Sequence, residues 1–397
     1  MSDEIHTVTG FTLAGTHSGL KPEDRPDMAL VVSDRPCTAA GIFTTNRVKA
    51  APVLYDQGVL AVPDAAIRAV LVNTGSANAC TGDAGLENAR QSAIWAADAI
   101  GCAADEVLVL STGVIGLPLP MDCIARGIES LNGKLKAGSW QDAARAIMTT
   151  DTRPKVASVR TAEGYTITGI AKGAGMIAPN MATMLSVIAT DAQVARDLLD
   201  RALRQAADAS FNRIVVDGDM STNDTVLALA NGASGVAVQD EAAFVAALSD
   251  VAIALAQAIV RDGEGATKFV TVQITGAASE DEARTVARSI ATSALVKTAF
   301  YGGDPNWGRI LCAAGYSGAE INPATASLWL LHADGTDAIQ LVAGGQPLNY
   351  DEPAAIQHMQ DDEWGVRLDL GQGDASTWVW TCDISHEYVT INGHYRT

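Results

Sequence analysis

Short apolar runs alternate along this chain with segments whose apolar residues recur at helical spacing. Residues 69–72 are apolar and rich in β-branched valine, and the turn residues 73–75 follow them, so they predict a buried strand. Residues 106–110 have the same character and stop before the turn residues 111–113. Between them, residues 88–100 carry alanine and isoleucine at helical spacing and predict a helix. This alternation predicts a mixed α/β (α+β) fold.

The rest of the chain continues the same alternation. Apolar and β-branched runs predict strands at 165–170, 183–189, 214–216, 269–274, 327–331, 366–370 and 376–382. Apolar residues on one face predict helices at 140–148, 194–206, 244–260 and 282–298. The chain has 397 residues, which is long enough for two or three compact units. No linker rich in proline, serine and glycine divides it, so composition marks no domain boundary.

The chain is strongly acidic. Lys and Arg total 27 and Asp and Glu total 46, which gives a formal net charge of −19. Such a surface repels nucleic acid and anionic membranes, so a nucleic-acid-binding or membrane-surface function is disfavoured. The N-terminus is polar and acidic and lacks the apolar segment of a secretory signal. We therefore expect a cytoplasmic protein without nucleic-acid or membrane partners.

The spacing of potential metal ligands does not indicate a metal site. The six cysteines include no CxxC pair, and the six histidines include no HExxH motif. Asp217, Asp219 and Asp224 are close in sequence but lack the spacing of an EF-hand loop, so we interpret them as turn and packing residues. Dispersed single thiols also favour a reducing compartment. The sequence predicts no metal.

The segment 171–185 is the most unusual in the chain, and it has three interpretations. Gly173, Gly175 and Ala178 fit the G-x-G-x-x-A fingerprint of a dinucleotide site. That fingerprint must open a helix, however, and Pro179 falls where the helix should run. A second interpretation is a glycine-rich surface loop that leads into a core strand.

The third interpretation is a nucleophile site at Thr183. A threonine hydroxyl needs an adjacent base, and cleavage of the preceding peptide bond would supply the threonine's own α-amine. A loop that strains the Ala182–Thr183 bond favours attack of the Thr183 Oγ on the Ala182 carbonyl. Spacing alone does not choose between the surface loop and the nucleophile site.

The residues from Lys172 to Leu185 resemble the self-cleavage segment of the ornithine acetyltransferases, also called glutamate N-acetyltransferases, which are enzymes of arginine biosynthesis. The resemblance covers nearly the whole chain. Further blocks that match in the same order lie at 111–116, 148–155, 217–225, 262–268, 303–309, 383–388 and 392–397. The resemblance implies a layered fold of two β-sheets between helices, which is the ornithine acetyltransferase or DmpA-like fold.

The resemblance also implies a mechanism. Self-cleavage between Ala182 and Thr183 would give an α chain, 1–182, and a β chain, 183–397, that begins with the nucleophile. Thr183 would take acetyl from N2-acetylornithine, form an acetyl-enzyme and pass the acetyl group to glutamate in a ping-pong cycle. Thr112 and Gly113 would stabilise the oxyanion of the tetrahedral intermediate, and we expect them in a turn after a strand.

Other residues are implied as substrate contacts. These are Thr149, Lys172, Thr183, Glu264, Asn392 and Thr397. Lys172 suits the α-carboxylate of an amino acid. Glu264 suits either the ornithine ammonium group or the orientation of a group that carries a proton. The neighbouring Thr150 remains an alternative to Thr149.

The family typically assembles two α and two β chains, so we expect a hetero-tetramer. No organic cofactor is implied, and acetyl-CoA remains open as a second acetyl donor, because no residue distinguishes the monofunctional from the bifunctional enzymes. One alternative is a related self-cleaving aminopeptidase or amidase, in which water takes the acyl group. A different class is a non-catalytic nucleotide-binding protein built on Gly173 and Gly175.

Overall fold

The computed structural model describes residues 4–22, 24–63, 65–178 and 184–394. In chain order, the strands in these residues are β1 (Phe11–Thr16), β2 (Met28–Phe43), β3 (Ile67–Ser76), β4 (Val107–Val114), β5 (Lys155–Arg160), β6 (Thr166–Lys172), β7 (Leu185–Thr190), β8 (Ile214–Val215), β9 (Thr225–Ala230), β10 (Phe269–Ala277), β11 (Ser327–Leu331), β12 (Asp337–Ala343), β13 (Gln346–Pro347), β14 (Glu363–Asp369) and β15 (Ala375–Cys382).

Helices occur throughout the same described residues. They are α1 (Ala51–Leu60), α2 (Gly82–Ile100), α3 (Met121–Asn132), α4 (Trp140–Ile147), α5 (Arg196–Ala209), α6 (Glu241–Arg261), α7 (Glu280–Thr292), α8 (Ala294–Gly302), α9 (Trp307–Gly315), α10 (Glu352–His358) and α11 (His386–His394). Each predicted strand and helix overlaps one of these elements, and the predicted mixed α/β class is confirmed.

The described residues divide into two compact units. One lies within Met1–Asn212 and Asp219–Ile259, and the other lies within Arg213–Gly218 and Val260–Tyr395. The predicted number of two or three units is therefore confirmed. The predicted cut after residue 182 lies inside the range of the first unit. The division into units does not test that cut, because cleavage of one peptide bond need not follow a domain boundary.

The sheet of the first unit has the strand order β4-β3-β2-β9-β7-β6-β5, with β1 paired to β2. The long strand β2 joins its two halves, since β3 pairs with the first part of β2 and β9 with the second. The register shifts between Val32 and Cys37, where β2 passes from one half to the other. Both halves contribute to one apolar cluster around Trp140 of α4, which includes Val31, Val72, Leu110, Ile170, Val187 and Leu227. Burial of this cluster holds the two halves together.

Strands β3 and β4 run further than the sequence predicts. They are parallel, and their pairing continues beyond the predicted ends. The additional pairs are Asn73 with Ser111, Thr74 with Thr112 and Gly75 with Gly113. The prediction that both strands stop before these residues is wrong. Backbone hydrogen bonds between neighbouring parallel strands outweigh the local turn preference of Asn, Thr and Gly here.

Helix α6 is long and apolar enough, by length and composition alone, to cross a membrane. A core helix meets the same criterion, and the part of α6 in the first unit packs against β6. A Cβ atom on Gly169 of β6 would lie 3.0 Å from Leu255 and 3.3 Å from Val251 of the helix. Phe244 also contacts Tyr165, with 6.0 Å between the ring centroids. These contacts explain the apolar composition of α6 as core packing.

The sheet of the second unit has the order β13-β12-β11-β14-β10-β15-β8. Strand β10 is parallel to β14 and antiparallel to β15. Helix α7 packs on β10 and β15. The single helix predicted at 282–298 is wrong in one respect, because the structure has two helices that meet at Ser293. The Ser293 side chain accepts the Val296 N–H and so starts α8.

Asp56 is a completely buried carboxyl group beneath the edge strand of the first sheet. Its Oδ1 accepts the Val109 N–H of β4 at 2.9 Å, and Oδ2 has no hydrogen-bond partner among the described atoms. Burial raises the pKa of Asp56 well above its ordinary value of 3.8, although the bond from Val109 opposes the shift. The folded chain therefore holds this proton more tightly than the unfolded chain does.

Asp56→Asn should stabilise the protein at neutral and alkaline pH. The stability that protonated Asp56 contributes is fully present below pH 3.8 and is lost as the pH rises through the folded pKa, whereas an asparagine side chain carries no charge at any pH. We expect a gain of about 1–3 kcal/mol at pH 8 that disappears near pH 4, measured by urea unfolding. The exposed Asp105→Asn should show no such pH dependence. A loss of stability at pH 8 in Asp56→Asn would contradict the interpretation.

Candidate active site

Thr112 and Gly113 lie within the strand pairing at the end of β4, and not in a turn after it as predicted. Thr112 is 7% exposed. Gly113 has φ +133°, and a Cβ atom there would lie 2.4 Å from the carbonyl carbon of Gly75. Only glycine fits this close approach of two strands. The packing therefore holds the backbone of this pair in one conformation.

The side chain of Asn223 fixes the residue before Thr112. Asn223 Nδ2 donates to the carbonyl oxygens of Ala77 at 2.7 Å and Ser111 at 2.8 Å. The Ser111 hydroxyl in turn donates to Asn73 Oδ1 at 2.6 Å. The sequence predicted no role for Asn223, because its partners are more than a hundred residues away. This network positions the end of β4.

Asp224 anchors the start of β7. Its Oδ1 accepts the Met184 N–H at 2.8 Å, and Met184 directly follows Thr183 in the chain. Burial raises the pKa of Asp224 well above its ordinary value, although the Met184 bond and the charge of Lys172 oppose the shift. The prediction that Asp224 is a turn or packing residue understates its role. Its buried carboxyl group holds Met184, the residue next to the predicted nucleophile.

Asp151 is the centre of a buried charged cluster that the sequence did not predict. Its carboxylate accepts Lys155 Nζ at 2.6 Å, the Gly173 N–H at 2.7 Å and the Thr149 N–H at 2.8 Å. Burial alone would raise its pKa, but the charges of Lys155 and Lys172 lower the pKa of Asp151 to about 2. The carboxylate is therefore ionised at neutral pH. It ties the segment before β5 to the end of β6.

Lys172 and Thr149 are brought together by this cluster. Lys172 is the last residue of β6, pairs with Leu185 of β7 and is 3% exposed. Its Nζ donates to Thr149 Oγ1 at 3.3 Å. Of the two threonines that the sequence left as alternatives, Thr149 is thus the one in contact with Lys172. A buried ammonium group beside a hydroxyl can bind a carboxylate.

In the second unit, the structure brings Glu264 and Asn392 together. Asn392 Nδ2 of α11 donates to Glu264 Oε2 at 2.6 Å and to the Tyr388 carbonyl at 3.0 Å. Gly265 has φ +67°, and a Cβ atom there would lie 2.6 Å from the Tyr388 nitrogen, so α11 packs directly on this turn. Glu264 is 8% exposed. The fixed carboxylate can bind a cationic group.

Three predicted site residues, Ala182, Thr183 and Thr397, lie outside the described residues. The dinucleotide interpretation of Gly173 and Gly175 is wrong, because residues 173–178 form no helix and the next described element is strand β7. Across the described ranges, no group of three His, Cys, Asp or Glu side chains could hold a metal ion.

Comparison with known proteins identifies the family. The model of the ArgJ family matches residues 12–397. This chain belongs to the ArgJ family. It is 49% identical over 399 residues to the arginine biosynthesis bifunctional protein ArgJ of Geobacter sulfurreducens, covering 98% of this chain and 100% of that protein. It is 48% identical over 415 residues to the mitochondrial ArgJ protein of Chaetomium globosum, covering 98% and 88%.

A crystal structure of an ArgJ protein from Bacillus halodurans is 38% identical, with a TM-score of 0.48, and covers 52% of this chain and 96% of that one. The family resemblance that the sequence blocks indicated is confirmed by the full-length ArgJ match. The predicted enzyme class, an acyltransferase, is confirmed with the family.

Proposed function

We propose that this chain transfers acetyl from N2-acetylornithine to glutamate through an acetyl-enzyme on Thr183. The observation that carries the proposal is the match to the ArgJ family along residues 12–397. The two substrates share an amino-acid backbone, so one pocket can serve both half-reactions. Lys172 and Thr149 of the first unit, which are in contact, supply polar groups of the kind that such substrates need.

The enzyme first processes itself. Thr183 Oγ attacks the Ala182 carbonyl, the peptide nitrogen leaves as the new α-amine, and water hydrolyses the resulting ester. The products are the chains 1–182 and 183–397. The freed α-amine then takes the proton of the Thr183 hydroxyl in the transfer reaction and passes it to the departing ornithine nitrogen. In the second half-reaction the glutamate amine attacks the acetyl-enzyme.

Thr112 and Gly113 bind the oxyanion of each tetrahedral intermediate. The close approach of Gly75 to Gly113 and the bond from Asn223 to Ser111 support this role, since both limit movement of the backbone. Donors that are fixed before the reaction need no reorganisation when negative charge develops.

Thr112→Ala should slow acetyl transfer by about a hundredfold if its hydroxyl is an oxyanion donor. The loss should fall on kcat, because the oxyanion exists only in the transition state and intermediate. Single-turnover formation of the acetyl-enzyme would measure it. Ser158→Ala, which removes another buried hydroxyl of the first unit, is the control. Unchanged kcat in Thr112→Ala would remove Thr112 from this role.

The substrate contacts follow from charge. Lys172 binds the α-carboxylate of the substrate beside Thr149, with which it is in contact. Glu264 pairs with the ornithine ammonium group, and Asn392 orients Glu264 through their 2.6 Å bond. Thr183 and Thr397 complete the set of contacts by family resemblance.

The assembly is a hetero-tetramer of two α and two β chains in the cytoplasm. The reaction needs no metal or organic cofactor, since the acyl group passes through the threonine ester. Acetyl-CoA serves as a second acetyl donor if the enzyme is bifunctional, as the names of its ArgJ relatives suggest.

Intact-mass spectrometry before and after incubation with N2-acetylornithine tests the proposal. We expect two chains that separate at Ala182–Thr183 and one added acetyl group on the chain 183–397. Glutamate should then remove that acetyl group as N-acetylglutamate. Release of free acetate at the same rate without glutamate would identify an amidase, and a single chain without acetyl would refute the proposal.

A further inference from the structure

The loop between β1 and β2 is folded around one buried carboxylate. Asp27 is fully buried, and its two oxygens accept four successive backbone N–H groups. The donors are Ser18 at 2.7 Å, Gly19 at 3.2 Å, Leu20 at 2.9 Å and Lys21 at 3.0 Å. A buried side chain that accepts several backbone amide groups is a strong local constraint. The backbone of Lys21 is therefore held in place although it lies in a loop.

This loop passes next to the proposed oxyanion pair. Gly75 has φ +92°, and a Cβ atom there would lie 2.9 Å from the Leu20 carbonyl oxygen. Gly75 also pairs with Gly113 across β3 and β4. The Leu20–Lys21 backbone therefore lies one strand away from Gly113.

The ammonium group of Lys21 points to the same place as that of Lys172. Lys21 Nζ donates to the carbonyl oxygens of Met148 and of Pro26, the latter at 3.1 Å. Lys172 Nζ donates to Thr149, the residue after Met148. Two lysine side chains thus reach adjacent residues from β6 and from the β1–β2 loop.

The surroundings of Lys21 are unfavourable for its charge. Burial, followed by the positive charges of Arg25 and Lys172, lowers its pKa to about 8, although Asp27 and Asp151 favour the charged form. Two positive charges in a partly buried site repel each other. This repulsion decreases when an anion binds to both.

We propose that Lys21 acts with Lys172 as a second cation for the α-carboxylate of the amino-acid substrate. The inference rests on the proposed function and adds a binding residue to it. Lys21 is half-buried, so it keeps an exposed side toward solvent. The α-carboxylate is the anionic group that N2-acetylornithine and glutamate share. The pair of Lys21 and Lys172, called the clamp below, therefore binds the substrate in both half-reactions. A carboxylate has two oxygens and can accept from both ammonium groups at once.

Lys21→Gln tests the proposal, because glutamine can still donate to the Met148 carbonyl but carries no charge. We expect KM to rise by roughly 10- to 100-fold for both N2-acetylornithine and glutamate, with kcat at saturation little changed. Lys21→Arg keeps the charge and should recover most of the loss. Lys21→Met serves as a second uncharged variant if the glutamine variant folds poorly.

Lys268→Gln is the matched control. Lys268 is also half-buried and donates to two backbone carbonyls, those of Gln360 at 2.6 Å and Asp361 at 3.1 Å. Its substitution should leave both KM values unchanged. Unchanged KM values in Lys21→Gln, or a rise for only one of the two substrates, would overturn the shared clamp. A lower melting temperature with normal KM would show a purely structural lysine.

The pH profile of the first half-reaction gives a readout that a structural role would not affect. The charged groups around Lys21 are Arg25, Asp27, Asp151 and Lys172. In the wild type, kcat/KM for N2-acetylornithine should fall above pH about 8 as Lys21 loses its proton. This fall should disappear in Lys21→Gln and move to higher pH in Lys21→Arg. A fall that persists unchanged in Lys21→Gln would assign it to another group and contradict the proposal.

Failure of the clamp and failure of the proposed function are distinguishable. A wild-type protein that forms no acetyl-enzyme refutes the function itself. A wild type that forms it, beside a Lys21→Gln variant with wild-type KM values, refutes only the role of Lys21. Cleavage into two chains should occur in every lysine variant, because Lys21 takes no part in that step.

Discussion

Thr183→Ala is expected to give one uncut chain of 397 residues with no acetyl-transfer activity. Alanine has no hydroxyl to attack the Ala182 carbonyl, so the peptide bond is not cleaved. The side chain also cannot accept an acetyl group. Loss of a nucleophile lowers kcat by about a millionfold. Intact-mass spectrometry measures the cleavage, and N-acetylglutamate formation measures the transfer.

Thr183→Ser is the control for this prediction, since serine keeps the hydroxyl group. It should still divide into the chains 1–182 and 183–397, at a different rate. Two chains from Thr183→Ala, or acetyl uptake by that variant, would show that another residue is the nucleophile. The result would then favour the interpretation of segment 171–185 as a glycine-rich surface loop.

Asp151→Ala should have the largest effect on stability. It removes the carboxylate that Lys155 contacts at 2.6 Å, and both side chains of this pair are almost fully buried. Breaking a buried pair leaves an uncompensated charge, which typically costs about 3–5 kcal/mol. Urea unfolding at pH 7 measures this loss. The Gly173 N–H and Thr149 N–H also lose their acceptor, so acetyl transfer should fall as well.

The pH dependence gives this prediction a sign. The folded pKa of Asp151 is about 2 and its ordinary value is 3.8, so the stability from this carboxylate is present above pH 3.8 and is lost as the pH falls through 2. Asp151→Ala should lack that part of the acid unfolding.

Asp142→Ala is the matched control, because it breaks an exposed ion pair with Arg145, a kind of pair that contributes little. Equal stability of Asp151→Ala and the wild type would contradict a structural role for the cluster.

Periodicity predicted the elements that are self-contained. Residues 327–331 form β11 within the predicted bounds, and 88–100 lie inside α2. Both segments carry an apolar pattern that a single element can satisfy. The pattern failed where a neighbour decides the conformation. The strand β2 was not predicted, because its 16 residues change partner and exposure along their length.

The residues around the candidate site show the same distinction. Thr112, Gly113, Thr149, Lys172, Glu264 and Asn392 were predicted from motifs that resemble one family. The roles of Asn223, Asp151 and Lys21 were not, since their functions depend on contacts rather than on residue type. Lys21 and Met148, for example, are 127 positions apart in the chain.

The sequence by itself determined the class of fold, the family and the residues that the family resemblance assigns to catalysis. Apolar periodicity is local, and a run of motif blocks in one order is specific, so neither requires coordinates. Only the tertiary structure decided that β3 and β4 continue through Gly75 and Gly113. It also decided that Asp151 accepts hydrogen bonds from three other residues, and that Lys21 and Lys172 donate to adjacent residues. These are hydrogen bonds and charge interactions between distant segments, and their strength depends on burial that the folded chain alone creates.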